Sequence, residues 1–253
     1  MRRLLIAGNW KMNGTCDSAE KLLSAISLYS GAVEIAVFPS YAHLFLAVAV
    51  LKNTSIRFGA QNLSEYSNGA FTGEISATML KDLGCHYVMI GHSERRQLFS
   101  EKNDILFKKC ERGLLAGLTP ILCVGETLAE YEKKLTLSVV QEQLAVVSRL
   151  KDNCSAFGEM VIAYEPVWAI GTGKTATPDQ AQAVHRFIRT RLNEIDPTLA
   201  KTTRILYGGS VKPDNAQALF SMPDVDGALV GGASLDADGF LKIVMSGVDV
   251  CNS

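Results

Sequence analysis

Glu165 stands where a carboxylate can do proton chemistry. It ends the apolar run Met160–Tyr164 and is followed at once by Pro166, Val167 and Trp168, then by Gly171-Thr172-Gly173. Pro166 fixes its own φ and holds Glu165 extended. The glycines allow backbone shapes, and close approach to a ligand, that other residues resist. A carboxylate at a strand end under a flap spanning Pro166–Ala176 suits a general base that works once water is removed. The same carboxylate could instead cap a helix or pair with a surface cation, and spacing does not choose between these uses.

Four other segments offer complementary groups. Asn9 and Lys11 follow the apolar run Leu4–Ala7 and could hold negative charge. His92 follows Gly91 at the end of Tyr87–Ile90 and precedes Ser93-Glu94, which reads as a helix start. A helix N-terminus favours a neutral ring, the form that can polarise a carbonyl. His43, His86 and His185 lack such a context. A metal site at His92 is disfavoured because no second histidine lies three to five residues away. Gly171, Ser210, Gly231 and Gly232 are positions where backbone N–H groups can approach an anion. The run Gly171-Thr172-Gly173-Lys174-Thr175 imitates the end of a nucleotide phosphate loop, but Trp168 stands where that motif needs glycine.

The elements that must carry these residues repeat. Apolar runs at Leu4–Ala7, Ile35–Phe38, Arg57–Ala60, Tyr87–Ile90, Pro120–Val124, Val161–Tyr164, Ile205–Tyr207 and Ala228–Val230 are too short for helices. They are apolar on consecutive positions, as strands covered on both faces must be. Helical patterns lie between them: Asp17–Tyr29, Asp104–Gly113 with a glycine stop, Thr127–Leu150, and Pro178–Ile195 with Thr177 as N-cap. This alternation predicts a parallel α/β sheet with right-handed crossovers. Eight units without a foreign insertion favour a closed eight-stranded (β/α)₈ barrel over an open, doubly wound sheet. In such a barrel the strand C-terminal ends share one rim, where active sites lie. No linker or composition shift divides the chain, so one barrel domain over residues 1–253 is expected.

Asn9-Trp10-Lys11-Met12-Asn13-Gly14, Ile90-Gly91-His92-Ser93-Glu94-Arg95-Arg96, Ala163-Tyr164-Glu165-Pro166-Val167-Trp168, Tyr207-Gly208-Gly209-Ser210-Val211 and Gly231-Gly232-Ala233-Ser234-Leu235 together resemble the triosephosphate isomerase family, in the family's order and across nearly the whole chain. The resemblance implies interconversion of dihydroxyacetone phosphate and D-glyceraldehyde 3-phosphate, without a cofactor or metal. It implies Glu165 as the base, His92 as the neutral electrophile and proton shuttle, and Lys11 and Asn9 on the substrate oxygens. Gly171, Ser210, Gly231 and Gly232 would grip phosphate, with Glu94 as a support for Lys11 or the histidine segment. It also implies a cytoplasmic homodimer joined through the loop around Gly69–Ile75, which carries an apolar Phe71. Phe38-Pro39-Ser40-Tyr41 and Tyr131-Glu132-Lys133-Lys134 depart from the family's usual pattern. A carbon–carbon lyase on the same barrel, and a phosphate-binding protein without activity, are the rival readings.

Composition narrows the alternatives. Twenty-six acidic and 25 basic residues leave a formal charge of −1, and no dense basic run with aromatics appears, so nucleic-acid binding is unsupported. Hydrophobic residues make up 47% of the chain, enough for a large core, yet no stretch of about 18 uncharged apolar residues exists to span a membrane. Leu4–Ala7 is too short for a secretion signal. The six cysteines form no CxxC pair and read as free thiols in a reducing compartment, with Cys123 in the core.

Overall fold

The computed structural model describes residues 2–171 and 175–252. Its strands are β1 (Leu5–Asn9), β2 (Glu34–Phe38), β3 (Arg57–Ala60), β4 (Tyr87–Ile90), β5 (Thr119–Val124), β6 (Val161–Tyr164), β7 (Arg204–Tyr207) and β8 (Gly227–Val230). They form one closed parallel barrel in chain order, with β8 returning to β1 through pairs such as Ala7 with Leu229. The expected barrel is therefore present, and seven of the eight apolar runs match strands to within one residue at each end. The first strand is displaced: it starts at Leu5 and runs on through Asn9.

Around the barrel lie α1 (Cys16–Ser27), α2 (Leu44–Leu51), α3 (Ala77–Asp82), α4 (Ser93–Leu98), α5 (Asn103–Leu115) and α6 (Leu128–Glu132). They continue as α7 (Thr136–Asn153), α8 (Pro178–Ile195), α9 (Pro197–Thr202), α10 (Pro213–Phe220) and α11 (Ala237–Asn252). The core has two layers. Leu5, Ala7, Met89, Ile121, Cys123, Ala163 and Leu206 fill the barrel interior, while Ile6, Val37, Val88, Leu122 and Ile162 point outward against the helices. Alternate strand residues thus face opposite layers, and both layers are apolar.

Two expected helices differ. The pattern over Thr127–Leu150 is broken into α6 and α7, with Lys134 between them in the left-handed region at φ 58°. No glycine or proline marks that break. Helix α5 runs through Gly113 to Leu115. A Cβ on Gly113 would stand 3.4 Å from Val88 Cγ1 and 3.6 Å from Pro120 Cγ, ordinary contact distances against β4 and β5, so the helix passes through this position without strain. The turn out of α5 falls at Gly117, φ +74°. Helix α8 starts as expected, with Thr177 and Gln180 capping each other's backbone N–H groups. Among the described residues no helix is long and apolar enough to cross a membrane, and no cluster of side chains could hold a metal ion.

Candidate active site

Closure of the barrel brings the C-terminal ends of β1, β4, β6, β7 and β8 to one rim. They surround a cleft of about 250 Å³ lined by Asn9, Lys11, His92, Glu165, Gly171 and Ser210, with Gly231 and Gly232 on the β8 side. Every residue expected to act on the substrate lines this cleft. Of the flap residues, Thr172, Gly173 and Lys174 lie outside the described residues.

Glu165 is buried, 2% exposed. Its backbone N–H donates to Val124 O at 2.7 Å, which ties the end of β6 to β5. One carboxylate oxygen, Oε2, accepts the Ser93 N–H at 2.9 Å; the other, Oε1, lies 3.0 Å from His92 Nε2. Burial acts to raise the carboxyl pKa, but the His92 ring, the Ser93 N–H and Lys11 outweigh it, and the group titrates below its ordinary value. Glu165 is therefore an ionised carboxylate held by hydrogen-bond donors.

His92 begins α4 as its own N-cap: its Nδ1 accepts the Glu94 N–H at 3.3 Å. Gly91, φ +70°, makes the turn that lets the ring fold back, a backbone shape glycine adopts freely. An Nδ1 that accepts a hydrogen bond carries no proton, so the ring's proton sits on Nε2, towards the cleft. Burial pushes the ring pKa down, and the carboxylates of Glu165 and Glu94 more than reverse that push, so the net direction is upward.

Lys11 adopts φ 53°, rare for a residue with a side chain. Its backbone N–H donates to Asn9 Oδ1 at 3.0 Å, and its carbonyl accepts from Gln61 Nε2 at 2.8 Å. Its ammonium meets Glu94 Oε1 at 2.7 Å. Glu94 thus holds Lys11, while its Oε2, 3.4 Å from His92 Nδ1, faces a ring nitrogen that already accepts the Glu94 N–H. The β8 side of the cleft is rich in glycine. A Cβ on Gly232 would meet nothing within 4 Å, and one on Gly231 would stand 3.7 Å from Lys11 Cε. Ser234 Oγ donates to Gly231 O at 2.7 Å and fixes that loop.

A family model for triosephosphate isomerase matches residues 4–247. A curated triosephosphate isomerase of Coxiella burnetii (strain Dugway 5J108-111) is 54% identical over 245 residues, 96% of each chain. The chain belongs to the triosephosphate isomerase family. The triosephosphate isomerase of Halorhodospira halophila is likewise 54% identical, over 244 residues, covering 96% of this chain and 97% of its own. That of Shewanella amazonensis is 48% identical over 252 residues, with 96% of each chain covered.

Two further residues at this rim were not singled out from the sequence. Glu126 is wholly buried and was not singled out by sequence. It accepts from Trp168 Nε1 at 2.7 Å and from Tyr164 Oη at 3.2 Å. Burial raises its pKa against these donors. Its partner is 42 residues away, so no local pattern could reveal it. Lys212 also lines the cleft. Its position directly after Gly-Gly-Ser-Val was the available signal.

Proposed function

We propose that Glu165, His92, Lys11 and Asn9 together interconvert dihydroxyacetone phosphate and D-glyceraldehyde 3-phosphate, the isomerase reaction of this family and a step of glycolysis and gluconeogenesis. The observation that carries the assignment is the convergence, on one cleft, of a buried carboxylate 3.0 Å from an imidazole, an ammonium in a left-handed turn, and a glycine-rich wall.

The chemistry follows from these groups. Glu165 takes a proton from the carbon beside the substrate carbonyl. The electron pair moves to the carbonyl oxygen, and an enediolate forms. His92 Nε2–H donates to that oxygen, and Lys11 and the Asn9 amide stabilise the developing charge. His92 passes a proton between the two oxygens, and Glu165 returns its proton to the neighbouring carbon. As Glu165 leaves Ser93 and His92 for the substrate it loses the donors that lowered its pKa, while burial persists. Its basicity rises when it is used. Gly171, Ser210, Gly231 and Gly232 hold the phosphate through backbone N–H groups. The flap over the cleft keeps water from the enediolate, which would otherwise lose its phosphate.

The test is a coupled isomerase assay of wild type and Glu165→Ala. Rapid turnover by the first is expected, with a loss of about 10²- to 10⁴-fold in the second, the range for a positioned acid–base group. Equal rates would refute the assigned base.

The whole of residues 1–253 acts as one barrel domain in this reading, in the cytoplasm and as a homodimer. Exposed apolar side chains support the dimer. Met12 (96% exposed), Phe45, Phe71, Met79, Leu98 and Phe99 all belong to segments that follow β1 to β4, four neighbouring strands. Apolar exposure concentrated on one side of the barrel suits a second copy. Sedimentation should give twice the chain mass of 27.4 kDa; a monomer at micromolar concentration would count against it.

A further inference from the structure

Tyr131 belongs to the segment that departs from the family's usual pattern. Its side chain sits at the reacting rim all the same. The Tyr131 ring stacks on the Trp168 indole with centroids 4.3 Å apart and planes 27° from parallel. Trp168 lies three residues after Glu165, in the short turn Val167–Ala169. Beyond that turn come Ile170 and Gly171, which line the cleft.

One short element holds Trp168 in two ways. Helix α6 opens just after Glu126, with Thr127 as N-cap, and Tyr131 is its fourth residue. Glu126 accepts the indole N–H at 2.7 Å, and its backbone carbonyl accepts the Val167 N–H at 3.1 Å. The edge of the indole is thus fixed by Glu126, while Tyr131 covers a face. The indole N–H is taken by Glu126 at one edge and the ring face is covered by Tyr131, so the two contacts bear on different sides of the side chain. The Tyr131 hydroxyl is 3.5 Å from Gln180 Nε2, too long to hold much, so the ring rather than the hydroxyl carries the effect.

We propose that Tyr131 is a positioning residue of the reaction: stacked on Trp168, it fixes the turn that runs from Glu165 to Ile170 and Gly171, and so places the phosphate-binding backbone. This rests on the assignment of the cleft given above and deepens it. An offset aromatic stack supports roughly a two- to twelvefold effect.

The experiment compares wild type, Tyr131→Ala and Tyr131→Phe. The chain has two tryptophans, so protein labelled with 5-fluorotryptophan gives two ¹⁹F resonances, and Trp10, buried just after β1 in the outer apolar layer, serves as the internal reference. In Tyr131→Ala one resonance should move with loss of the neighbouring ring. KM should rise about two- to twelvefold, with kcat changed less. Competitive inhibition by inorganic phosphate should weaken by the same factor. Tyr131→Phe should keep the wild-type spectrum and KM. Should Tyr131→Ala fail to fold, Tyr131→Leu takes its place with the same expectations. An unmoved resonance, a moved resonance with KM unchanged, or a Phe variant that behaves like the Ala variant would each overturn the proposal. Any of these alongside a normal Glu165→Ala loss would leave the cleft assignment standing.

Discussion

Gly208→Ala tests how tightly the base is placed. Gly208 follows β7, and its N–H donates to Tyr164 O at 2.7 Å. A Cβ on this residue would stand 2.8 Å from Glu165 Cγ and 3.1 Å from Tyr164 O. Ordinary contact begins near 3.4 Å, so the Glu165 side chain must retreat by about 0.6 Å (3.4 minus 2.8). The Tyr164 carbonyl is held by the Gly208 hydrogen bond and cannot give way as easily. The retreat falls on a carboxylate whose present contacts are 2.9 Å to Ser93 N and 3.0 Å to His92 Nε2. A misplacement approaching 1 Å at a reacting group costs up to about 10²-fold, so kcat should fall on the order of 10- to 100-fold. Overpacking should also cost about 1–3 kcal/mol of stability. The assay is coupled turnover in both directions, with urea unfolding of the same samples to confirm that the variant is folded at the assay temperature. A folded Gly208→Ala enzyme within twofold of the wild-type kcat would show that the base tolerates displacement, and the argument from positioning would fail.

Gly232→Ala makes the contrasting case. A Cβ there meets no protein atom within 4 Å, so stability should be unchanged while KM rises, because the methyl group enters the space that the proposed reaction assigns to phosphate; a KM equal to wild type would remove Gly232 from the phosphate wall. His185 predicts a pH dependence of stability. It is fully buried, and burial lowers its pKa from 6.5 to about 4. Between those values the unfolded chain binds more protons than the folded one, so the contribution is complete above pH 6.5 and is lost as pH falls towards 4, by about 2 kcal/mol between pH 8 and pH 5. Urea midpoints at the two pH values should differ more in wild type than in His185→Gln; equal differences would refute the assignment to this ring.

Much of this protein could be read along the chain because the signals are local. A strand covered on both faces must be apolar at consecutive positions, and eight such runs at regular spacing leave few architectures. Thr177, Pro178 and Gln180 mark a helix start because a cap is made by residues three apart. The segments around Asn9, His92, Glu165, Ser210 and Gly231 are legible for the same reason: each is a strand end and its turn. Local signals also misled. Gly113 looked like a helix stop, but its backbone is helical and α5 continues to Leu115, with the turn at Gly117. The break at Lys134 was invisible because a lysine in the left-handed region leaves no mark in composition.

What the chain order alone could not decide is which groups touch. Lys11 meets Glu94 across 83 residues, Ser93 N–H meets Glu165 across 72, and Trp168 meets Glu126 across 42. These contacts exist because barrel closure, with β8 paired to β1, brings the strand ends around one rim. Charge behaviour follows the contacts: burial would raise the Glu165 carboxyl, and His92, Ser93 and Lys11, all distant along the chain, lower it instead. Residue type and neighbours along the chain suffice to propose the reacting groups. Their protonation, their reach and the aromatic clamp on Trp168 were settled only in three dimensions, because electrostatic and packing energies depend on distances between residues that the linear order keeps far apart.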